Sequence, residues 1–231
     1  MKKIILYLAN LLRFYWHQPR ILKSLIKLNI KSAFDVGSHE GETLDYFLKI
    51  KKLNKIHSFE PQSLIFKKLV KKFKTNKKII LNNVALSNKT QKKKMFINLL
   101  TATSSFTKVN SNSDWLKIKN KIINQKNSRK KTIILKTSSI DTYVKKRNIN
   151  KIDLLKIDTE GHELQVLQGA INSIKKKKIK YVLIELHFSN MYKHYSRFNI
   201  EKYLKDNNFY LIKSFKFPLH PYVDNLYKLK I

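Results

Sequence analysis

The sequence predicts an α/β domain built around a mostly parallel sheet, and three observations lead there. From about residue 32 onward, short apolar runs alternate with stretches of helical spacing. Two glycine-bearing segments each follow such an apolar run, as loops do at the ligand edge of open α/β sheets. No internal repeat and no linker rich in Pro or Gly divides the 231 residues, so residues 31–231 read as one domain behind an N-terminal helical segment, 1–30.

Residues 3–28 read as one or two helices interrupted near Pro19, with Ile4, Leu8, Leu11, Leu12 and Tyr15 along one face. Ser32 to Val36 reads as the first central strand, followed by a helix over Thr43 to Ile50. Lys55 to Phe59 is the second strand, and Pro61 suits the first turn before a helix over Leu64 to Phe73. Ile79 to Leu86 reads as a third strand. Lys94 to Asn98 and Thr132 to Thr137 read as an antiparallel pair outside the main sheet. Between them, residues 107–131 are polar and long enough to form a lid or a mobile loop.

A short helix is expected over Ser139 to Lys146, and Ile152 to Ile157 is the most apolar strand. A helix over Leu164 to Ile174 follows, with Gly169 inside it, then a strand over Ile179 to Leu186 and a helix over Ile200 to Asn207. Phe209 to Phe215 and Leu226 to Ile231 form the closing strand pair. Strands alternating with helices imply parallel pairing through right-handed crossovers.

Composition bounds the chemistry. The chain has no cysteine, which excludes disulfides and thiolate metal sites and is compatible with a cytoplasmic location. The formal charge of +34 asks for a polyanion such as nucleic acid, anionic lipid or an acidic glycan. Only five of the 49 basic residues are Arg, however, whereas specific nucleic-acid readers lean on its bidentate fork. Lysine spread over every solvated face is the simpler reading. The apolar run Ile4 to Leu12 is too short to span a bilayer, where about 20 residues are needed. Packing on the domain is its expected role, and peripheral contact with the inner membrane face through this basic helix is the alternative.

Four glycines serve the whole chain, and they mark the candidate site. The first segment, Phe34-Asp35-Val36-Gly37-Ser38-His39-Glu40-Gly41, is D-x-G-x-x-x-G and not the G-x-G-x-x-G of dinucleotide folds. Its side chains suit a ligand without phosphates, and Asp35 suits a cationic amino or sulfonium group. Glu60 ends the second strand 19 residues past Gly41, where a carboxylate accepts the ribose hydroxyls of an adenosine ligand. Asn82-Asn83-Val84-Ala85 ends the third strand on the same edge, where an adenine ring would rest.

The second segment gathers Asp158, Glu160, His162 and Glu163 beside Gly161. Carboxylates here could hold a divalent metal through oxygen ligands, orient a substrate hydroxyl or seat a cofactor. His162 is a candidate general base, since an unperturbed imidazole titrates near neutrality. Glu185 and His187 end the neighbouring strand and could face the same crevice.

Read in order, D-V-G-S-H-E-G, F-E-P, N-V-A-L-S, S-I-D-T-Y and I-D-L-L-K-I-D-T-E-G-H-E-L-x-V-L-x-G-A resemble the FkbM-type methyltransferases from about Phe34 to Glu185. The resemblance implies a three-layer Rossmann-like fold, its seven-stranded sheet ending in an antiparallel last strand. It also implies S-adenosylmethionine as cofactor and methyl transfer to a hydroxyl on a sugar, glycan or polyketide-like acceptor. Matched residue by residue, Asp35, Gly37 and Gly41 fall in the methionine-end loop, where Ser38, His39 and Thr43 are further cofactor-binding candidates, Glu60 is the ribose acid and Asn83 to Ala85 the adenine edge. His39 departs from the Asn frequent at its place. Asp158, Glu160 and His162 are catalytic candidates by position alone. Two other readings compete: an RNA ribose methyltransferase, and a non-catalytic membrane-associated domain of the same fold. The segment Asp158-Thr159-Glu160-Gly161 stands where base amino-methyltransferases carry Asn/Asp-Pro-Pro-Tyr/Phe, which argues against base amines.

Overall fold

A computed structural model describes residues 8, 11–98, 101–114, 117, 129–188, 190–218 and 222–230. A π-helical turn at Arg13–His17 runs into α1 (Gln18–Ile26), with Pro19 in its first turn. Then follow β1 (Ser32–Val36), α2 (Glu42–Phe47), β2 (Lys55–Phe59), α3 (Ser63–Phe73) and β3 (Ile79–Asn82). Strands β4 (Ala85–Leu86), β5 (Lys92–Asn98) and β6 (Arg129–Ser138) precede α4 (Ile140–Lys146) and β7 (Ile152–Ile157). Helices α5 (Glu163–Gln168) and α6 (Ile171–Lys175), β8 (Ile179–His187), α7 (Arg197–Asp206), β9 (Phe209–Lys216) and β10 (Tyr222–Leu229) complete the fold.

The main sheet has seven strands in the order β3-β2-β1-β7-β8-β10-β9. Pairing is parallel from β3 through β8, and the last strand, β10, runs antiparallel to both neighbours. This is the mostly parallel, Rossmann-like sheet expected. Strand order reverses between β1 and β7, so a crevice opens at their carboxyl ends.

Successive strand residues point to opposite faces, and the core divides accordingly. Ala33, Leu154 and Leu183 pack with Leu25 of α1, Leu44 and Phe47 of α2, and Leu69 and Phe73 of α3. Phe34, Leu155 and Val182 pack with Ile140 of α4, Val166 of α5, Ile174 of α6 and Ile200 of α7. Three layers result. Every residue of β7 is buried, and its two charges are both partnered. Asp153 accepts the backbone N–H groups of Lys31 and Ser32, while Lys156 reaches the site described below.

Several expectations change in detail. The run Ile79 to Leu86 is two strands in two sheets, because β4 leaves the main sheet to pair with β6. At the break, the side-chain amides of Asn82 and Asn83 donate to the carbonyls of Ser58 and Glu60 in place of a continuing ladder. The expected strand pair is thereby a three-stranded sheet, β4-β6-β5. Gly169 is not inside a helix but between α5 and α6, where a Cβ would lie 2.1 Å from the Ser87 carbonyl oxygen. The closing strand begins at Tyr222 rather than Leu226.

The N-terminal segment packs through His17, Ile21 and Leu25, and Tyr15 turns outward at 80% exposure, against the face expected for it. Ile4 lies outside the described residues, as do 115, 116 and 118–128 of the polar connection. The described start of that connection is tied down: Asn110 N–H donates to the Met191 carbonyl, and Lys193 N–H to that of Lys108. Among the described residues no helix is long and apolar enough to cross a membrane.

Candidate active site

The loop after β1 is shaped from within. Gly37 and Ser38 both donate their N–H groups to the Phe59 carbonyl at 3.1 Å. Ser38 is buried, with its hydroxyl donating to the Asp35 carbonyl and accepting from Ser58. It therefore holds the loop's shape instead of facing a ligand. Gly37 has φ +88°, and a Cβ there would stand 1.8 Å from the Asp158 carbonyl oxygen. The two glycine segments thus touch, backbone against backbone, across the strand-order reversal.

Asp35 lies fully buried beneath this loop, and among the described residues neither of its carboxylate oxygens has a partner at hydrogen-bond geometry. Its nearest cation is Lys156, with Nζ 3.9 Å from Oδ1. Burial pushes the Asp35 carboxyl up to about 6, with Lys156 working the other way. The same ammonium lies 3.0 Å from Asp158 Oδ2. Burial works against its charge, but Asp158 and Asp35 outweigh that and raise its pKa above the usual lysine range.

Glu60, the expected ribose acid, is buried just past β2. Its Oε2 accepts the His39 backbone N–H at 3.0 Å and its Oε1 that of Gln62 at 2.7 Å, leaving each oxygen a further lone pair. Burial raises this carboxyl to about 7, although both N–H donors favour the anion. The His39 ring lies between Glu42 Oε1, at 3.1 Å, and Thr101 Oγ1, at 2.9 Å. Gly41 and Thr43 are buried at the start of α2. Asn83 is exposed beside Glu60, Val84 is half-buried and Ala85 is in the core. Of the expected donor partners, Asp35, Ser38 and Ala85 are thus buried within the fold, while His39, Val84 and Asn83 are the more accessible.

The second loop takes its form from Glu163, whose Oε1 accepts from the N–H groups of Thr159 and Gly161 at 3.0 Å and from the Thr159 hydroxyl. Glu160 and Gly161 are both left-handed here, and the carbonyls this exposes are met by the Ser105 and Thr107 hydroxyls. Glu160 is thereby turned toward Asp158 and Glu185. One carboxylate oxygen from each of the three lies within 4.8 Å of the others. The Tyr192 hydroxyl donates to Glu160 Oε2, and His187 Nε2 lies 3.9 Å from the same atom. Glu185 is raised well above the usual carboxylate range by burial and by its acidic neighbours. Arg13, from the N-terminal segment, supplies positive potential to Asp158 and Glu185.

His162 requires a correction. It is 1% exposed, and its Nε2 meets the Ser87 hydroxyl at 2.9 Å with Lys93 and the Phe106 ring beside it. Burial, aided by Lys93, depresses its pKa to about 3. It has neither the access nor the basicity that proton removal needs. Sequence reasoning also missed Lys156, Tyr192 and Arg13. A lysine inside the most apolar strand was a readable signal for the first; nothing in local pattern marked the other two.

The family model described as the methyltransferase FkbM domain matches residues 35–211. The hexuronic acid methyltransferase AglP of Haloferax volcanii is 36% identical over 56 residues, 24% of this chain and 23% of that protein. The matched stretch thus spans under a quarter of that curated relative. Among solved structures, the methyltransferase domain of bacterial CtHen1-C aligns with TM-score 0.53 at 11% identity, covering 96% of this chain and 100% of that one. M. capricolum TrmK in complex with S-adenosyl-homocysteine aligns with TM-score 0.50 at 14% identity, covering 90% and 66%. Both likenesses are of fold. With most of its length matched, the chain belongs to the FkbM family and carries an S-adenosylmethionine-dependent methyltransferase domain.

Proposed function

We propose that the protein is an O-methyltransferase acting on a hydroxyl of a sugar, glycan or related acceptor. The contact between Gly37 and Asp158 carries this reading, because it sets the donor edge directly against a crevice of carboxylates. S-adenosylmethionine, when bound, supplies a methyl group on a cationic sulfur. The residues present suit it: Glu60 has free lone pairs for ribose hydroxyls, and Asp35 with Lys156 fixes the floor of the loop. Across the crevice, Asp158, Glu160 and Glu185 offer acceptors to the hydroxyls of a saccharide. In the transfer, the acceptor oxygen attacks the methyl carbon as the carbon–sulfur bond breaks and its electron pair stays on sulfur. The acceptor's proton passes to the carboxylate cluster and on to solvent.

The hexuronic acid activity of the similar archaeal protein supports a saccharide acceptor. The +34 charge favours RNA instead, but an acidic crevice would repel phosphates where the chemistry occurs. Methyl label from S-adenosylmethionine is expected in lipid-linked saccharide or polysaccharide fractions. Label found only in RNA and surviving high salt would replace this reading with ribose methylation. If cofactor binding and methyl transfer were both absent, a non-catalytic domain would be left, with flotation on anionic vesicles to test its membrane contact.

Two variants separate the halves of the site. Glu160→Gln is expected to lower kcat about 100-fold or more while calorimetry finds S-adenosyl-homocysteine binding unchanged. Glu60 should make donor binding pH-dependent. Only its ionised form accepts both ribose hydroxyls, so affinity should rise with pH through about 7 and level off above it. Glu60→Gln should bind weakly with a flat profile; a flat profile in the unmodified protein would remove the ribose assignment.

A further inference from the structure

We propose that Asp158, Glu160, Glu185 and His187 form a binding site for a hard divalent cation of the Mg²⁺/Mn²⁺ class, at the acceptor side of the crevice. The three carboxylates come from two adjacent elements, the loop after β7 and the end of β8, and each offers an oxygen within 4.8 Å of the other two. An acidic cluster alone would be a solvated rim. His187 makes the difference. Its side chain is 5% exposed, its Nε2 makes no hydrogen bond among the described residues, and that atom is directed at the cluster, 3.8 Å from Glu185 Oε1 and 3.9 Å from Glu160 Oε2.

These separations are too long for hydrogen bonds and right for shared coordination. Donors about 2.1 Å from one ion lie about 3 Å apart when adjacent and about 4.2 Å apart when opposite. The two His187 separations fall in that range, and the three carboxylate oxygens, within 4.8 Å of one another, would close further on an ion. The second ring of partners is also in place. Tyr192 donates to Glu160, Lys156 donates to Asp158 Oδ2, and the rings of Tyr192 and Tyr195 hold the His187 imidazole edge-on. Side-chain exposures of 12–18% at the carboxylates leave a path for entry.

Three carboxylates and one imidazole make a hard, oxygen-rich set, and the chain has no cysteine to draw softer metals. A four-ligand set leaves coordination positions open. Under the methyl-transfer reading, on which this role rests, an acceptor hydroxyl or a pair of adjacent oxygens fills them. A bound cation would lower the pKa of that hydroxyl and hold it in line with the methyl group. A saccharide presenting a vicinal diol or a hydroxyl beside a carboxylate fits such a site best.

The test begins with full-length protein stripped by chelator and titrated with MnCl₂, following loss of the free Mn²⁺ electron paramagnetic resonance signal. One ion per chain is expected, displaced by excess Mg²⁺. Glu185→Gln and His187→Gln should each weaken it by about 10- to 100-fold, while Glu201→Gln on α7 leaves it unchanged. Circular dichroism and S-adenosyl-homocysteine calorimetry on the same variants establish that they fold. Folded protein that takes up no Mn²⁺, or takes it up equally in the variants, would show His187 to be only an ion-pair partner and overturn the site. Mn²⁺ binding that depends on both residues, alongside methyl transfer indifferent to chelator, would keep the site and overturn its role. Binding without any methyl transfer to a hydroxyl would sink the functional reading and leave the metal site intact.

Discussion

Gly37→Ala is expected to abolish cofactor binding and to lower the melting temperature by about 5–10 °C. Two independent costs combine. The residue has φ +88°, which an alanine adopts only at about 1–3 kcal/mol. The new methyl group would also be placed 1.8 Å from the Asp158 carbonyl oxygen, which belongs to backbone and cannot rotate away. Relief requires the loops after β1 and β7 to separate. That breaks the Asp158 N–H bond to the Val36 carbonyl, along with the paired Gly37 and Ser38 bonds to Phe59. Calorimetric melting and S-adenosyl-homocysteine titration read the two effects together. An alanine variant with unchanged melting and unchanged affinity would show that the loops need not touch, and the proposed juxtaposition of donor and acceptor would go with it.

Most of the architecture was legible because its signals are local. The strand Ile152 to Ile157 was found to the residue, since Ile152, Leu154, Leu155 and Ile157 form a compact apolar run ending at the Asp158 loop. The breaks were not legible. Asn82-Asn83 read as the tail of one strand because period-2 apolarity cannot show that side-chain amides will replace the ladder. Gly169 read as helical because its real constraint, the Ser87 carbonyl, comes from a segment more than eighty positions away in sequence. The site divides in the same way. Asp35, Glu60, Asp158 and Glu160 are placed by strand ends, which sequence pattern reveals. Whether a histidine faces the crevice depends on which loop packs against it: His162 turns to Ser87, and His187 toward Glu160 and Glu185. Tyr192 and Arg13 reach the site through tertiary packing alone.

Lys156→Met should be the most destabilising single change on the crevice floor that leaves every glycine in place. Lys156 is 4% exposed and its ammonium stands between two carboxylates, 3.0 Å from Asp158 Oδ2 and 3.9 Å from Asp35 Oδ1. A methionine fills much of the volume but strands two buried anions. Removing one partner of a buried charge cluster costs about 3–5 kcal/mol, equivalent here to about 10 °C in melting temperature. Added salt should restore little, because the site is shielded from solvent ions. The pH dependence has a definite sign. Asp35 is already raised to about 6 by burial, and losing Lys156 raises it further above its unfolded value of 3.8. The folded state then holds its proton longer, so the penalty is smallest near pH 4 and grows as pH climbs through the folded pKa. Asp35→Asn in the Lys156→Met background should recover part of the loss, by about 1–3 kcal/mol beyond additivity, whereas Asp35→Asn alone should change stability little. Melting curves of the four proteins between pH 5 and pH 8 decide it. A Lys156→Met protein that melts within about 2 °C of the parent at pH 8 would show that Asp35 and Asp158 are neutralised by something other than this lysine.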